Sequence, residues 1–170
     1  DLIFPHHEDE IAQSEGATGK PFVRFWLHVK HLLVNGEKMS KSKRNDFKIN
    51  ELIEKGFSAA AIRYLLLSAH YRKELNFTFE GLEQARESLR RLQNFDDRLH
   101  DTEARNNRES GLGQLAATAL ADFEAALDDD LNTSAAFAAI FDLVREGNAT
   151  LDRAEGVTEA ELRAVGNALT

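Results

Sequence analysis

Cysteine is missing from all 170 residues, so neither a disulfide nor a thiolate metal ligand can come from this chain. Proline occurs twice and tryptophan once, all within residues 1–57. No apolar run approaches the roughly 18 residues that a membrane-spanning helix needs, and the first residues lack the charged-then-apolar order of a signal peptide. The expectation is a soluble, cytoplasmic chain without a membrane partner, its start cut, since no initiator Met is present. Positive charge is scarce as well. With 21 Lys and Arg against 29 Asp and Glu, the formal net charge of −8 excludes a general nucleic-acid binder that neutralises phosphates along its length. Any polyanion contact must be local. Lys38, Lys41, Lys43, Arg44 and Lys48 form the one basic cluster, whereas acids dominate from Glu103 onward.

A hydrophobic content of 42% is enough for one ordinary core, or for two small ones that share an interface. Residues 1–57 carry the mixed signals of an α/β unit. Pro5 suits the first turn of a short helix over His6 to Glu15, which Gly16 and Gly19 end. The apolar run Val29 to Val34 reads as a strand closed by the turn pair Asn35-Gly36, and an exposed polar and basic loop follows it. Asn50 is placed to cap a helix over Glu51 to Lys55 that stops at Gly56.

From Ser58 the texture becomes that of amphipathic helices, with no further strand signal. Ser58 is placed to cap Ala59 to Ala69, with Ile62, Leu65, Leu66 and Ala69 as its apolar stripe. Thr78 is placed to cap a long helix to about Leu99, with Leu82, Ala85, Leu89 and Leu92 on one face. Asp101 to Gly113, with Asn106 and Asn107, reads as a long loop. Helices follow over about Leu115 to Leu127 and Ser134 to Asp152, the second turning Phe137, Ile140, Phe141 and Val144 inward. Thr158 and Glu161 make a T-x-x-E capping box for a last helix. The fold class expected is α+β but mostly α, with residues 1–57 and 58–170 as its two parts.

Two short motifs carry chemistry. In Phe4-Pro5-His6-His7-Glu8-Asp9-Glu10, His6 and Glu10 stand four residues apart and project from one helical face, where an imidazole nitrogen and a carboxylate oxygen can share a zinc ion. The same residues also make an ordinary helix start, its acids facing the positive end of the dipole. In Lys38-Met39-Ser40-Lys41-Ser42, two lysines follow directly on the Asn35-Gly36 turn. A loop of that kind can neutralise charge that develops on a pyrophosphate leaving group.

Both motifs resemble those of the cysteinyl-tRNA synthetases, class I aminoacyl-tRNA ligases. The run from Asp1 to Ser14 is similar to the family segment that supplies two of four zinc ligands, and the pentapeptide from Lys38 to Ser42 matches the class I signature at every position. The resemblance implies His6 and Glu10 as zinc ligands, with two cysteine ligands supplied from upstream of this segment. The zinc would bind the substrate's thiolate, which a soft metal prefers to the hydroxyl of serine. It also implies Lys41 as a catalytic, ATP-binding residue, Lys38 as a second catalytic contact, and Asp1 near the ATP ribose. ATP with Mg2+, L-cysteine and tRNA-Cys would be the substrates of a monomer.

The pattern departs from the family's in two places. Asp9 stands where Asn is usual, and Lys43-Arg44-Asn45 replaces Leu-Gly-Asn after the signature. Trp26 and His28 match a Tyr-Trp-x-His type of stretch. Residues Ala61 to Arg72 resemble the family's link to a helical bundle, and Asp128 to Thr133 resembles its Asp-Asp-Phe-Asn-Thr stretch, where Asp130 or Asn132 is first a helix cap. On this resemblance the fold is the C-terminal part of a Rossmann-type class I catalytic domain followed by an antiparallel, DALR-like tRNA-binding bundle. The chain is then an internal fragment of a cysteine–tRNA ligase, inactive alone. Two alternatives are a mycothiol-pathway cysteine ligase and a non-catalytic helical adaptor that binds RNA or protein.

Overall fold

The computed structural model describes residues 2–105, 109–153 and 156–169; Asp1, Asn106 and Asn107 lie outside them. A π-type turn, Ile3–His7, runs into α1 (Glu8–Thr18), whose first turn carries Glu8, Asp9 and Glu10 against the positive end of its dipole. The helix continues through Gly16, against expectation, because one glycine costs a helix only about 1 kcal/mol. It ends at Gly19, which takes φ +65 and donates its N–H to the Glu15 carbonyl at 2.8 Å.

The strand expected over Val29 to Val34 shrinks to β1 (Leu33–Val34), which pairs antiparallel with β2 (Glu37–Lys38). Asn35 at φ +49 and Gly36 at φ +80 make the tight turn between them, the conformation that suits an Asn-Gly hairpin. Residues 37–38, expected in an exposed loop, are thus a strand. A 3-10 turn, Lys41–Lys43, leads to α2 (Ile49–Glu54). Asn50 lies inside α2 rather than capping it. The cap position is Lys48, whose N–H donates to the Glu51 carboxylate at 3.3 Å.

Ser58 caps α3 (Ala59–Leu67) as expected, accepting from the Ala61 N–H at 3.1 Å. The buried face is Ala61, Ile62 and Leu65, while Leu66 is 45% exposed. The expected stripe is therefore rotated, because α3 meets its neighbour through Ala61 and Leu65. A third strand, β3 (Asn76–Phe77), lies in the stretch read as purely helical and pairs parallel with β1, Leu33 opposite Asn76 and Val34 opposite Phe77. Gly36 N–H donates to the Asn76 side-chain oxygen at 2.8 Å, which fastens the hairpin turn to β3.

Thr78 caps α4 (Phe79–Asp101), accepting from the Gly81 N–H at 2.9 Å. This helix is the spine of the molecule. Leu82 and Ala85 belong to a first core with Val34, Leu52, Phe57, Ile62 and Phe77, whereas Phe95 and Leu99 belong to a second with Leu112, Leu143, Val144 and Val165. That second core is closed by α5 (Leu112–Asp128), α6 (Thr133–Arg153) and α7 (Glu159–Leu169). Tyr64 of α3 packs on Phe137 of α6 at 4.6 Å between ring centres.

Glu161 explains why α5 begins three residues before the expected Leu115. One carboxylate oxygen makes the expected capping box, accepting from the Thr158 N–H and hydroxyl at 3.0 Å each, while Glu161 N–H donates to Thr158 Oγ1 at 3.2 Å. The other oxygen accepts from the N–H groups of Ser110, Gly111 and Leu112 at 2.8, 2.9 and 3.1 Å, so it serves the open N-terminus of α5 as well. Burial pushes this carboxyl up, but the hydrogen bonds from Thr158 and Ser110 outweigh it and hold the group at about 2.

Candidate functional site

The signature lysines sit where a strand ends and the chain must turn. Met39 N–H donates to the Leu32 carbonyl at 3.3 Å, so the hairpin register holds up to the second residue of the motif. Ser40 is extended and its hydroxyl accepts from Lys43 N–H at 3.4 Å, which sets the 3-10 turn that contains Lys41. Asn45 braces the turn from below: its carboxamide oxygen accepts from Ser40 N–H at 2.8 Å and its amide donates to the Lys38 carbonyl at 3.3 Å. Lys43 pairs with Glu37 at 3.0 Å, and Lys38 and Lys41 are exposed. The end of β2 and the turn that follows it therefore hold two cationic side chains near solvent on a braced backbone, which is what a contact to phosphate oxygens needs.

Arg44 resolves the departure noted at the end of the motif. It takes φ +54 and ψ +33, a left-handed conformation that favours glycine, and its N–H still donates to the Lys41 carbonyl at 3.1 Å. The loop closes without a glycine there.

At the other motif the two histidines part company. His6 and Glu10 are exposed, one in the π-type turn and one in the first turn of α1. His7, to which the motif had assigned nothing, is half-buried. Its Nδ1 lies 2.8 Å from His28 Nε2, and its ring stacks on His28 and on Trp26 with centres 5.0 and 4.9 Å away. This stack ties α1 to the segment that leads into β1. The Trp26-x-His28 spacing was the signal that could have found it. Among the described residues, no three His, Cys, Asp or Glu side chains gather where they could hold a metal ion.

Of the two cap candidates Asp130 and Asn132, it is Asn132 that caps α6, its side-chain oxygen accepting from Ala135 N–H at 3.2 Å. Asp130 instead accepts from Tyr71 and Arg72 at 2.5 and 2.6 Å. Arg72 and Tyr71 hold its carboxyl at about 2, below the ordinary aspartate range.

Comparison with known proteins joins these features. The model of the tRNA synthetases class I (C) catalytic domain matches residues 1–87, and that of the DALR domain matches residues 122–170. A Cysteine–tRNA ligase of Koribacter versatilis is 50% identical over 155 residues, 91% of this chain and 31% of its own length. One of Chlamydia muridarum is 50% identical over 154 residues, 90% of this chain and 32% of its own length. The chain thus spans about a third of the length of the curated relatives it matches. Among solved structures, a ternary complex of LeuRS, tRNA and LeuAMS from Agrobacterium radiobacter has the same fold. Its TM-score is 0.66 at 23% identity, over 99% of this chain and 24% of that one. Among the described residues, no helix is long and apolar enough to cross a membrane.

Proposed function

The chain belongs to the class I (C) tRNA synthetase catalytic-domain family, and from that premise we propose that it is the signature-loop and helical part of a cytoplasmic, monomeric cysteine–tRNA ligase. In that reaction a carboxylate oxygen of cysteine attacks the α-phosphorus of ATP, pyrophosphate leaves, and the cysteinyl group of the adenylate then passes to the 3′ end of tRNA-Cys with release of AMP. The observation that carries the reading is the braced turn from Ser40 to Asn45. Lys41 sits at its exposed tip and is the residue that meets the pyrophosphate as charge builds on it; Lys38, on the last residue of β2, is the second contact. Residues 1–57 then hold the chemistry, while residues 58–170 orient the tRNA. The names of the relatives support tRNA over an amino sugar as the acceptor.

His6 and Glu10 are read as two of four zinc ligands. The donor set fits: an imidazole nitrogen and a carboxylate oxygen, both exposed and four residues apart at a helix start, are ordinary zinc donors. Two further ligands would have to come from outside this chain, which has no cysteine. When bound, zinc would supply recognition of the substrate thiolate. The stack of His7 on Trp26 and His28 holds the turn from which His6 projects.

The test is cysteine-dependent exchange of pyrophosphate into ATP, measured on a chain of the relatives' full length with and without Lys41→Ala. Exchange that survives the substitution unchanged would refute the assignment of Lys41, and absence of exchange from the unsubstituted enzyme would refute the ligase reading. With His6→Ala or Glu10→Ala, the expected result is a raised KM for cysteine and weaker rejection of serine.

A further inference from the structure

The connection between α5 and α6 makes a contact that capping does not account for. Asp130 and Leu131 take φ +55 and φ +56, two consecutive residues without glycine's freedom in the left-handed region. Such a turn is unfavourable unless its surroundings hold it. It delivers the Asp130 carboxylate to three consecutive residues beyond α3. The Tyr71 hydroxyl donates to Oδ1 at 2.5 Å, and Arg72 donates through Nε to Oδ2 at 2.6 Å and through Nη2 to Oδ1 at 3.1 Å. His70 Nε2 stands 3.8 Å from Oδ2. The rings of His70 and Tyr71 stack at 4.8 Å, and the Arg72 guanidinium lies 5.0 Å from the centre of the Tyr71 ring. A second tie runs alongside, from the Ser134 hydroxyl to the Ser68 carbonyl at 2.9 Å.

The receiving segment runs into β3 and is the neighbour of β1, whose hairpin partner β2 leads into the signature. The Tyr71 carbonyl accepts from Lys30 N–H at 3.0 Å, the Leu75 carbonyl from Leu33 N–H at 2.8 Å, and the Phe77 carbonyl from Asn35 N–H at 3.1 Å. Leu32 in turn holds Met39. The path from the bundle to the lysine loop is therefore short: the Asp130 carboxylate, the Tyr71 side chain and carbonyl, the backbone from Lys30 to Leu33, then Met39.

We propose that Asp130 is a positioning residue that locks the α5–α6 turn of the bundle to β1, the first strand of the hairpin that leads into the lysine loop. A displacement of that turn is then felt at residues 30–35. An ordinary exposed ion pair would need neither convergence of donors from adjacent residues nor a strained backbone to present the acid. That the loop so positioned binds ATP rests on the function proposed above; the coupling itself does not.

Amide hydrogen exchange on the whole 170-residue chain, without nucleotide, tests the coupling independently of that function. Asp130→Asn removes the charge, and Arg72→Lys keeps a charge but loses the planar fork. In both, exchange at Lys30, Leu33 and Asn35 should speed up at least about threefold, while the amides of Leu143 and Val144 in α6 keep their rates. Acceleration confined to residues 68–73 and 129–134, with Lys30, Leu33 and Asn35 unchanged, would overturn the proposal. Uniform acceleration through α6 in both variants would overturn it too, since Asp130 would then serve global stability only.

Discussion

Phe25 is 83% exposed and Phe4 77%, while Leu112 and Val165 are fully buried, so the two ends of one chain treat large apolar side chains in opposite ways. In residues 2–29, among the described elements, α1 packs chiefly on the turn that precedes it, and a stack of three rings holds that turn to the segment before β1. In residues 112–169 three helices pack on one another, and a single buried carboxylate serves two helix starts. The comparison teaches where each kind of residue resides. The side chains to which the chemistry is assigned in our proposal, His6, Glu10, Lys38 and Lys41, are exposed, whereas the buried polar group, Glu161, works for stability. Substitutions should therefore separate rate from fold.

The largest effect expected is on rate. In a chain of the relatives' length, Lys41→Ala should slow adenylate formation on the order of 10²- to 10³-fold, as loss of a donor used mainly in the transition state does, with the thermal midpoint unmoved. Rapid-quench measurement decides it. An unchanged rate constant with a raised ATP dissociation constant would assign Lys41 to ground-state binding instead.

Glu161→Ala should do the reverse, costing about 2–4 kcal/mol of stability because both helix starts lose their acceptor. Urea unfolding of the chain measures it, and a loss under about 1 kcal/mol would break the comparison. The pH dependence has a definite sign. The folded-state value of about 2 lies below the ordinary 4.5, so the stabilisation is fully present above pH 4.5 and is lost as pH falls through that value towards 2. Glu161→Gln should flatten that part of the acid-unfolding profile.

How much of this could be read in advance depended on distance along the chain. The capping box of Thr158 and Glu161 and the caps at Ser58 and Thr78 were legible because donor and acceptor lie three residues apart. The second duty of Glu161 was not, because its other donors come from residues about fifty positions earlier. Asn76–Phe77 escaped notice as a strand for the same reason. Two residues carry no alternation, and their partner lies beyond two intervening helices. Asn50 misled because its cap propensity is local, while α2 begins where Lys48 turns extended. In the site, five consecutive residues make the lysine loop plain, but the hydrogen bonds by which Asn45 braces it and the ring stack under His7 depend on the folded path of the chain, which residue types alone do not reveal.

A smaller effect probes the close packing of the bundle. A Cβ added at Gly147 would stand 2.6 Å from Cζ of the buried Phe95, so that ring must shift. Gly147→Ala should cost about 1–3 kcal/mol, readable as a lower urea midpoint, despite alanine's better helix propensity. No loss would mean that the second core is looser than the first.

The smallest effect lies in the loop. Arg44→Gly relieves a left-handed residue at the expense of unfolded-state entropy, so stability should change by no more than about 1 kcal/mol, whereas Arg44→Ala relieves nothing. A larger change on glycine substitution, in the same unfolding experiment, would show that the loop is as tightly determined as the bundle.

The tie between Gly36 and Asn76 spans 40 residues, and it has a consequence for the order of assembly. The hairpin from Leu33 to Lys38 can form in microseconds on its own, and α2 and α3 can nucleate locally, but the parallel pairing of β1 with β3 must wait until both of these intervening helices have been laid down. During synthesis the lysine loop therefore emerges before the strand that fixes its base. The turn acquires its final footing only once residue 77 has left the ribosome and folded back beside residue 34.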